Sequence, residues 1–277
     1  LDSPVSVSLR AWSLFIPGDV GMSNTPGAVF EVRLRNTSDS PQSGSLAFSF
    51  PGPSPQEAYG DCAFTHAHID GNFTGVDVYN GRGIGYALGV ISQESIRTGG
   101  DLGLDGGSWS RIGSELPVTA GQPGASVAVD FELPAGGVRT IRLVLAWYSP
   151  EGEAAGRPMV DDQSWDNGWR VMKPGLPSSA GRRYAHMYAA RYRDALDVAE
   201  MLADHHESLL GRILAWQQVI HGEKELPAWL RDSLVNILHL VTEDGFWAQS
   251  KPPIPEWARP EDGLFGMNES PRGCPQI

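Results

Sequence analysis

Read for the spacing of apolar positions, the chain falls into two halves. From residue 1 to about 142, short runs alternate apolar and polar side chains with a period of two: VSVSLRAWS (5–13), VFEVRLRN (29–36), SLAFSF (45–50) and VDVYN (76–80). IGYALGVI (84–91), SVAVDFEL (126–133) and VRTIRLVLAWY (138–148) continue the series. Alternation of this kind places one row of side chains on each face of an extended strand. Between the runs stand SDSPQSG, PGPSP, TGGDLGLDGG and PAGG, which supply the Gly, Pro, Asp and Ser that turns require. Many short strands joined by Gly- and Pro-rich turns predict an antiparallel β-sandwich over residues 1–148.

The stretch 149–184 has no period and is rich in Pro, Gly, Asp and Trp, so it reads as a connector arm. After it the period lengthens. In 186–220, Tyr188, Tyr192, Ala195, Ala199, Leu202, Leu209, Ile213, Trp216 and Ile220 recur at three- and four-residue steps. One helix of that length would span roughly 50 Å unless it breaks near Asp204–His206. A second helix is expected after Pro227, with Trp229, Leu230, Leu234, Ile237, Leu238 and Val241 as its stripe and Asp244-Gly245 as its stop. Residues 251–263 carry too many prolines to be helical. Two such helices cannot bury their apolar faces on each other alone, so residues 185–277 read as the start of a larger helical domain.

Composition narrows the function classes. A formal charge of −12 excludes the basic face that nucleic acid demands, and it disfavours anionic membranes. No apolar run approaches the ~18 residues of a transmembrane helix, and LDSPVSVSLRAW lacks the regions of a signal peptide. The compartment is unread. Nine tryptophans and seven tyrosines on an acidic chain suit a neutral, hydroxyl-rich ligand. Cys62 and Cys274, far apart and without a CxxC pair, read as two free thiols.

Most candidate constellations have a plainer reading. His66 and His68 would share a face of a strand, but no third metal ligand is identifiable beyond a guess at Asp70, and they read as solvated loop histidines. His205 and His206 diverge by about 100° on a helix and cannot chelate together. GRGIG (81–85) lacks the helix and the Lys-Ser/Thr of a phosphate loop, and DLGLDGG (101–107) lacks calcium-loop spacing. VDDQSWDNGW (160–169) could stack sugars on Trp165 and Trp169, or could simply pin the connector. No metal site and no cofactor are expected. In the tail EDGLFGMNESPRGCPQI, Glu269 stands among Asn268, Ser270, Arg272 and Gly273. A carboxylate beside an arginine stays ionised at neutral pH, as a nucleophile must. A surface loop with one salt bridge would look the same.

Several stretches together resemble glycoside hydrolase family 116. AWSLFIPGDVGMSNTPGAVFEVRLRNTSDSPQSGSLAFSF looks like the middle of that family's N-terminal β-domain, and VRTIRLVLAWYSP like its closing strand. RYAHMYAARYRDALDVAEML resembles the passage into the helical domain, and LPAWLRDSLVNILHLVTEDGFW one of that domain's first helices. The resemblance implies a β-sandwich followed by an (α/α)6 toroid, of which only the first helices would be present here. It also implies retaining exo-hydrolysis of terminal β-linked sugars by two carboxylates about 5 Å apart. DGLFGMNES puts Glu269 at the position of the family's nucleophile, with Ser270 where a glycine is usual. Asn268, Arg272 and Asp262 are the accompanying substrate-binding candidates. The acid/base aspartate would fall beyond residue 277, so the chain is expected to be an incomplete, inactive piece of a larger enzyme whose partner is the rest of that enzyme. β-Glucosidase is the default activity, with β-xylosidase, N-acetylglucosaminidase or β-D-arabinofuranosidase as variants. A glycoside phosphorylase or a non-catalytic carbohydrate-binding sandwich are the readings outside the family.

Overall fold

The structure, a computed structural model, describes residues 3–55, 57–58, 60, 62–91, 96–104, 106–119, 121–153, 183–236, 245–249, 261, 263–268 and 275–276. The chain forms two compact units, one of residues 1–149 with 192–218 and one of residues 150–191 with 219–277.

The first unit is built on two antiparallel sheets. The larger contains β1 (Val5–Ser13), β2 (Gly27–Asn36), β4 (Phe64–Ile69), β5 (Phe73–Asn80), β6 (Gly85–Ile91) and β9 (Val138–Tyr148), in the order β1-β2-β9-β6-β5-β4. The smaller contains β3 (Gln42–Phe50), β7 (Arg97–Gly99) and β8 (Ala125–Leu133), in the order β3-β8-β7. Every period-two run of the sequence is one of these strands. Val32, Leu34, Val76, Val78, Tyr86, Leu88 and Leu143 of the large sheet meet Val127 and Val129 of the small one in the core. The Tyr86 hydroxyl, carried into that core by its ring, donates to the Pro123 carbonyl at 2.6 Å and so is not left unpaired.

The outer face of the large sheet is covered too. Val29, Ala87, Val144 and Ala146 alternate with the core residues along their strands, yet each is fully buried. A four-residue helix, α1 (Val20–Ser23), follows β1, and what covers this face is α2 (Ala195–His221), whose Val198, Ala199 and Leu202 are themselves fully buried. A β-carbon added to Gly27, which pairs with Ala146, would lie 2.6 Å from Leu202 Cδ1. Small residues on the sheet are therefore what let the helix come close. Polar ties flank this contact: Tyr192 and Thr25 share a hydroxyl hydrogen bond of 3.0 Å, and Asn72 donates to Asp204 at 3.2 Å. Arg212 donates to Asp19 at 2.7 Å, and Trp216 Nε1 donates to the Phe15 carbonyl at 2.8 Å.

The helix departs from its sequence reading at its start. It starts at Ala195, because Asp194 Oδ1 accepts the Asp197 N–H at 2.8 Å as an N-capping side chain does, while Met187–Ala190 form a separate 3-10 turn. It runs unbroken through Asp204–His206, which contain neither proline nor glycine. Its apolar stripe, expected to need partner helices, is satisfied over its first turns by the sandwich. The following α3 (Ala228–Asn236) begins just after Pro227 as anticipated but buries none of its residues, and Trp229 is 70% exposed. Ile237, Leu238 and Val241 lie outside the described residues. No helix among the described residues is long and apolar enough to cross a membrane.

Two carboxylates on the outer face of the large sheet respond in opposite ways. Glu31 stands directly between Arg10 of β1 and Arg142 of β9 in register. Burial pushes its carboxyl up, but hydrogen bonds from Arg142 and Arg10 outweigh that and hold it below its ordinary value. Among the described residues Asp77 of β5 has no such partner. Burial, reinforced by the charge of Asp194 at the helix start, pushes it up to about 6.

Two outcomes are expected. Leu202→Ala should cost about 3 kcal/mol in chemical denaturation of the chain, whereas Leu214→Ala, 46% exposed on the same helix, should cost within about 0.5 kcal/mol. Asp77 holds its proton in the folded state to a higher pH than in the unfolded one, so its contribution to stability falls as pH rises from 3.8 to about 6. Asp77→Asn should therefore raise Tm at pH 7.5 by roughly 2–4 °C, about 1 kcal/mol after solvent screening of a partly exposed group. That gain should shrink toward zero as pH is lowered to about 4. A gain independent of pH would refute the assignment.

Candidate functional site

The second unit contains the strand that leads into the tail motif. β13 (Leu264–Asn268) pairs antiparallel with β12 (Gly245–Ala248) on one side and with β14 (Pro275–Gln276) on the other. Gly245, expected with Asp244 to end the second helix, opens β12, and residues 237–244 lie outside the described residues. The sheet is extended sideways by the backbone of residues 183–186. β11 (Arg183–Ala185) pairs with β10 (Glu151–Glu153), and His186 then forms a bridge to Ala248. The Gln249 N–H donates to the Ala185 carbonyl at 2.7 Å, and the His186 N–H donates to the Pro150 carbonyl at 3.0 Å.

Entry into β13 depends on Gly263. Its φ is +67°, a left-handed conformation that side-chain-bearing residues adopt at a cost of roughly 1 kcal/mol. A β-carbon there would also lie 2.5 Å from Trp247 Nε1 and 2.7 Å from the Ala248 carbonyl oxygen. The glycine of the Asp-Gly pair is thus required twice, once by its dihedral and once by the approach of β12.

Of the four candidate site residues, Asn268 is the last residue of β13, in register with Pro275. Asp262, Glu269 and Arg272 lie outside the described residues, as do Cys274 and the whole of 160–169 with Trp165 and Trp169. The tail motif is therefore described through its flanks: a strand paired on both sides ends at the residue before Glu269.

His186 was legible only as the beginning of a helix. It lies in an extended segment, its ring stacked on that of Tyr188 with centroids 4.9 Å apart and planes 14° from parallel. Burial lowers its pKa, so the imidazole is neutral at pH 7 and can both donate and accept a hydrogen bond. The signal for it was available. Tyr184, His186 and Tyr188 recur at two-residue steps, a strand period standing just before the helical one.

The remaining motifs are accounted for by the first unit. His66 and His68 lie on β4, not in a loop. His66 Nε2 is 3.2 Å from the Gly124 carbonyl oxygen, and His68 Nε2 is 3.1 Å from Asp70 Oδ1. Among the described residues no group of three His, Cys, Asp or Glu side chains is placed to hold a metal ion. GRGIG is the turn between β5 and β6, where Asn80 Oδ1 accepts the N–H groups of Arg82 and Ile84. Cys62 is a free thiol whose sulfur accepts a hydrogen bond from Asn80 Nδ2 at 3.3 Å.

No family model matches the chain, and no curated protein does. Among solved structures, a protein described as a kojibiose phosphorylase from the human microbiome shares 13% identity, over 53% of this chain and 16% of that one, with a TM-score of 0.30. This chain thus spans about a sixth of that protein's length, and an overlap of this degree assigns neither fold nor activity to it. The resemblance to glycoside hydrolase family 116 rests on the sequence stretches alone.

Gly263→Ala should destabilise the second unit by about 2 kcal/mol or more. Amide exchange should report it as lost protection in Gly245–Ala248 and Leu264–Asn268, with the amides of Gly85–Ile91 unchanged. Unchanged protection in β12 and β13 would mean the turn tolerates a side chain.

Proposed function

We propose that this chain is part of an enzyme acting on glycosidic bonds, a retaining exo-β-glycosidase in which Glu269 is the nucleophile. One observation carries the reading: Glu269 directly follows a strand held by partners on both edges and entered through a left-handed glycine. A nucleophile must be positioned within a fraction of an ångström, and the end of a paired strand offers that better than a free loop. Support also comes from the DGLFGMNES motif, from the sandwich preceding the helices, and from α3, whose exposed Trp229 and Leu234 suit further helices packing beside it.

In this reaction the Glu269 carboxylate attacks the anomeric carbon of a terminal β-linked sugar, forming a glycosyl ester as the leaving group takes a proton from a second carboxylic acid. Water, deprotonated by that same second group, then hydrolyses the ester and returns the original configuration. Asn268, Arg272 and Asp262 are the residues proposed to hold the sugar. β-Glucoside is the default substrate, and β-xyloside, N-acetylglucosaminide and β-D-arabinofuranoside are the variants to assay beside it.

The test is made on the protein that carries this chain together with the rest of its catalytic domain. Glu269→Gln should lower kcat by at least about a thousandfold while leaving the thermal transition in place. Trapping with an activated 2-deoxy-2-fluoro glycoside should leave the fluorosugar on the peptide containing Glu269. An inverted product anomer, or trapping on another residue, would overturn the assignment.

A further inference from the structure

The outer face of the large sheet changes character along β2. Opposite residues of antiparallel neighbours share a face, so the register lays out rows across the strands. Val29 stands opposite Val144 of β9, and both are fully buried. Two residues on, Glu31 lies between Arg10 of β1 and Arg142 of β9 and is ion-paired to both. The next row is Ser8, Arg33 and Thr140, and the one after it Ser6, Arg35 and Val138. All six of these residues are exposed, beyond the cover that α2 gives the apolar rows.

Arg33 and Arg35 stand two residues apart on one face, which sets their α-carbons about 7 Å from each other. Like charges so placed repel, and a carboxylate beside them would relieve the strain, as Glu31 does for Arg10 and Arg142. The chain has 33 acidic residues to draw on, yet the positions flanking the pair on β1 and β9 hold Ser6, Ser8, Thr140 and Val138. Among the described residues neither guanidinium has an ion pair or a hydrogen bond. Four arginines against one glutamate give the three rows a local charge of +3 on a chain whose total is −12.

We propose that this face binds a short oligoanion, a ligand carrying two to four carboxylate or phosphate groups in a row, with Arg33 and Arg35 each taking one. A guanidinium presents a planar fork of N–H donors that matches the oxygens of either group. The short hydroxyl side chains of Ser6, Ser8 and Thr140 stand beside the forks and add donors without closing them off. Glu31 ties Arg10 and Arg142 down at one end of the face, where their charge still adds to the field. The ligand is short because the three rows span only about 14 Å. A long polyanion such as nucleic acid would run past them along a protein that is otherwise strongly acidic. The inference stands apart from the glycosidase reading, since every residue in it belongs to the first unit.

Two probes separate the sources of such a ligand: inorganic tripolyphosphate for a phosphate chain, and tetragalacturonate for an acidic sugar chain. Calorimetric titration of the whole chain in low salt should show saturable one-to-one binding of at least one probe, and the tighter of the two names the source. Uncharged maltotetraose should not bind. Raising the ionic strength to about 0.2 M should weaken binding several-fold. Arg33→Gln together with Arg35→Gln, both at exposed positions, should weaken it at least about tenfold with the thermal transition unchanged. The corresponding lysine pair, which keeps the charge and loses the fork, should lose less. Arg111→Gln, in the connection between β7 and β8, should leave binding unchanged. Failure of both probes to bind, or undiminished binding by the glutamine pair, overturns the proposal. So does tighter binding of a long single-stranded oligothymidylate than of either short probe, because the face would then serve a nucleic acid.

Discussion

The contact between α2 and the outer face of the large sheet is the constraint on which the first unit depends. A sheet covered on one side only would leave Val29, Val144 and Ala146 in water, and its strands would be expected to show polar outer rows. β6 and β9 do not: Gly85–Ile91 is buried along almost its whole length, and β9 buries alternate residues of both rows at its C-terminal end. These strands are apolar on both faces because they form the middle of three layers, small sheet, large sheet and helix. Close approach of the helix follows from Gly27 beside Ala146, with Leu202 seated over the pair. Asp77, without an ionic partner among the described residues, is held above its ordinary pKa, whereas Glu31 on the same sheet face is matched by two arginines. The same sheet face thus carries one solved and one unsolved electrostatic problem.

How much of this was readable depended on whether the controlling contact was local. The long strands of the sandwich were legible because alternation is written along each strand separately. The strand Phe64–Ile69 was not, since THAH carries two histidines whose partners, Gly124 and Asp70, supply a reason for them only after folding. The start of α2 was displaced because Tyr188 and Tyr192, both buried, continue the helical spacing by coincidence of packing. The use of the sandwich as the helix's partner could not be read at all. It depends on small residues in distant strands, Gly27 and Ala146, and a glycine in a strand does not announce what will lie on it. Of the candidate site, the strand before Glu269 was hidden by the prolines around it, and His186 by the helical run that follows it.

The second unit shows how backbone pairing can bring separate segments of a chain together. Its segments are brought together by a succession of main-chain bonds from β10 through β11 and His186 to β12, β13 and β14. Such a ladder fixes direction and spacing without needing large apolar side chains, which suits a surface that must present polar residues. Gly263 is the point where that ladder admits the chain, and it does so by lacking a side chain.

The first unit is discontinuous in sequence: residues 1–149 and 192–218 fold together, and 150–191 belong to the second unit. Both ends of that stretch are anchored, one by β9 in the centre of the sheet and the other by Tyr192 bonded to Thr25. The entropy of closing such a loop grows only with the logarithm of its length, about 0.6 kcal/mol for each doubling. Length added between Ser149 and Tyr192 therefore costs the first unit little, and what constrains the stretch is instead the pairing of Glu151–Glu153 with Arg183–Ala185 in the second unit.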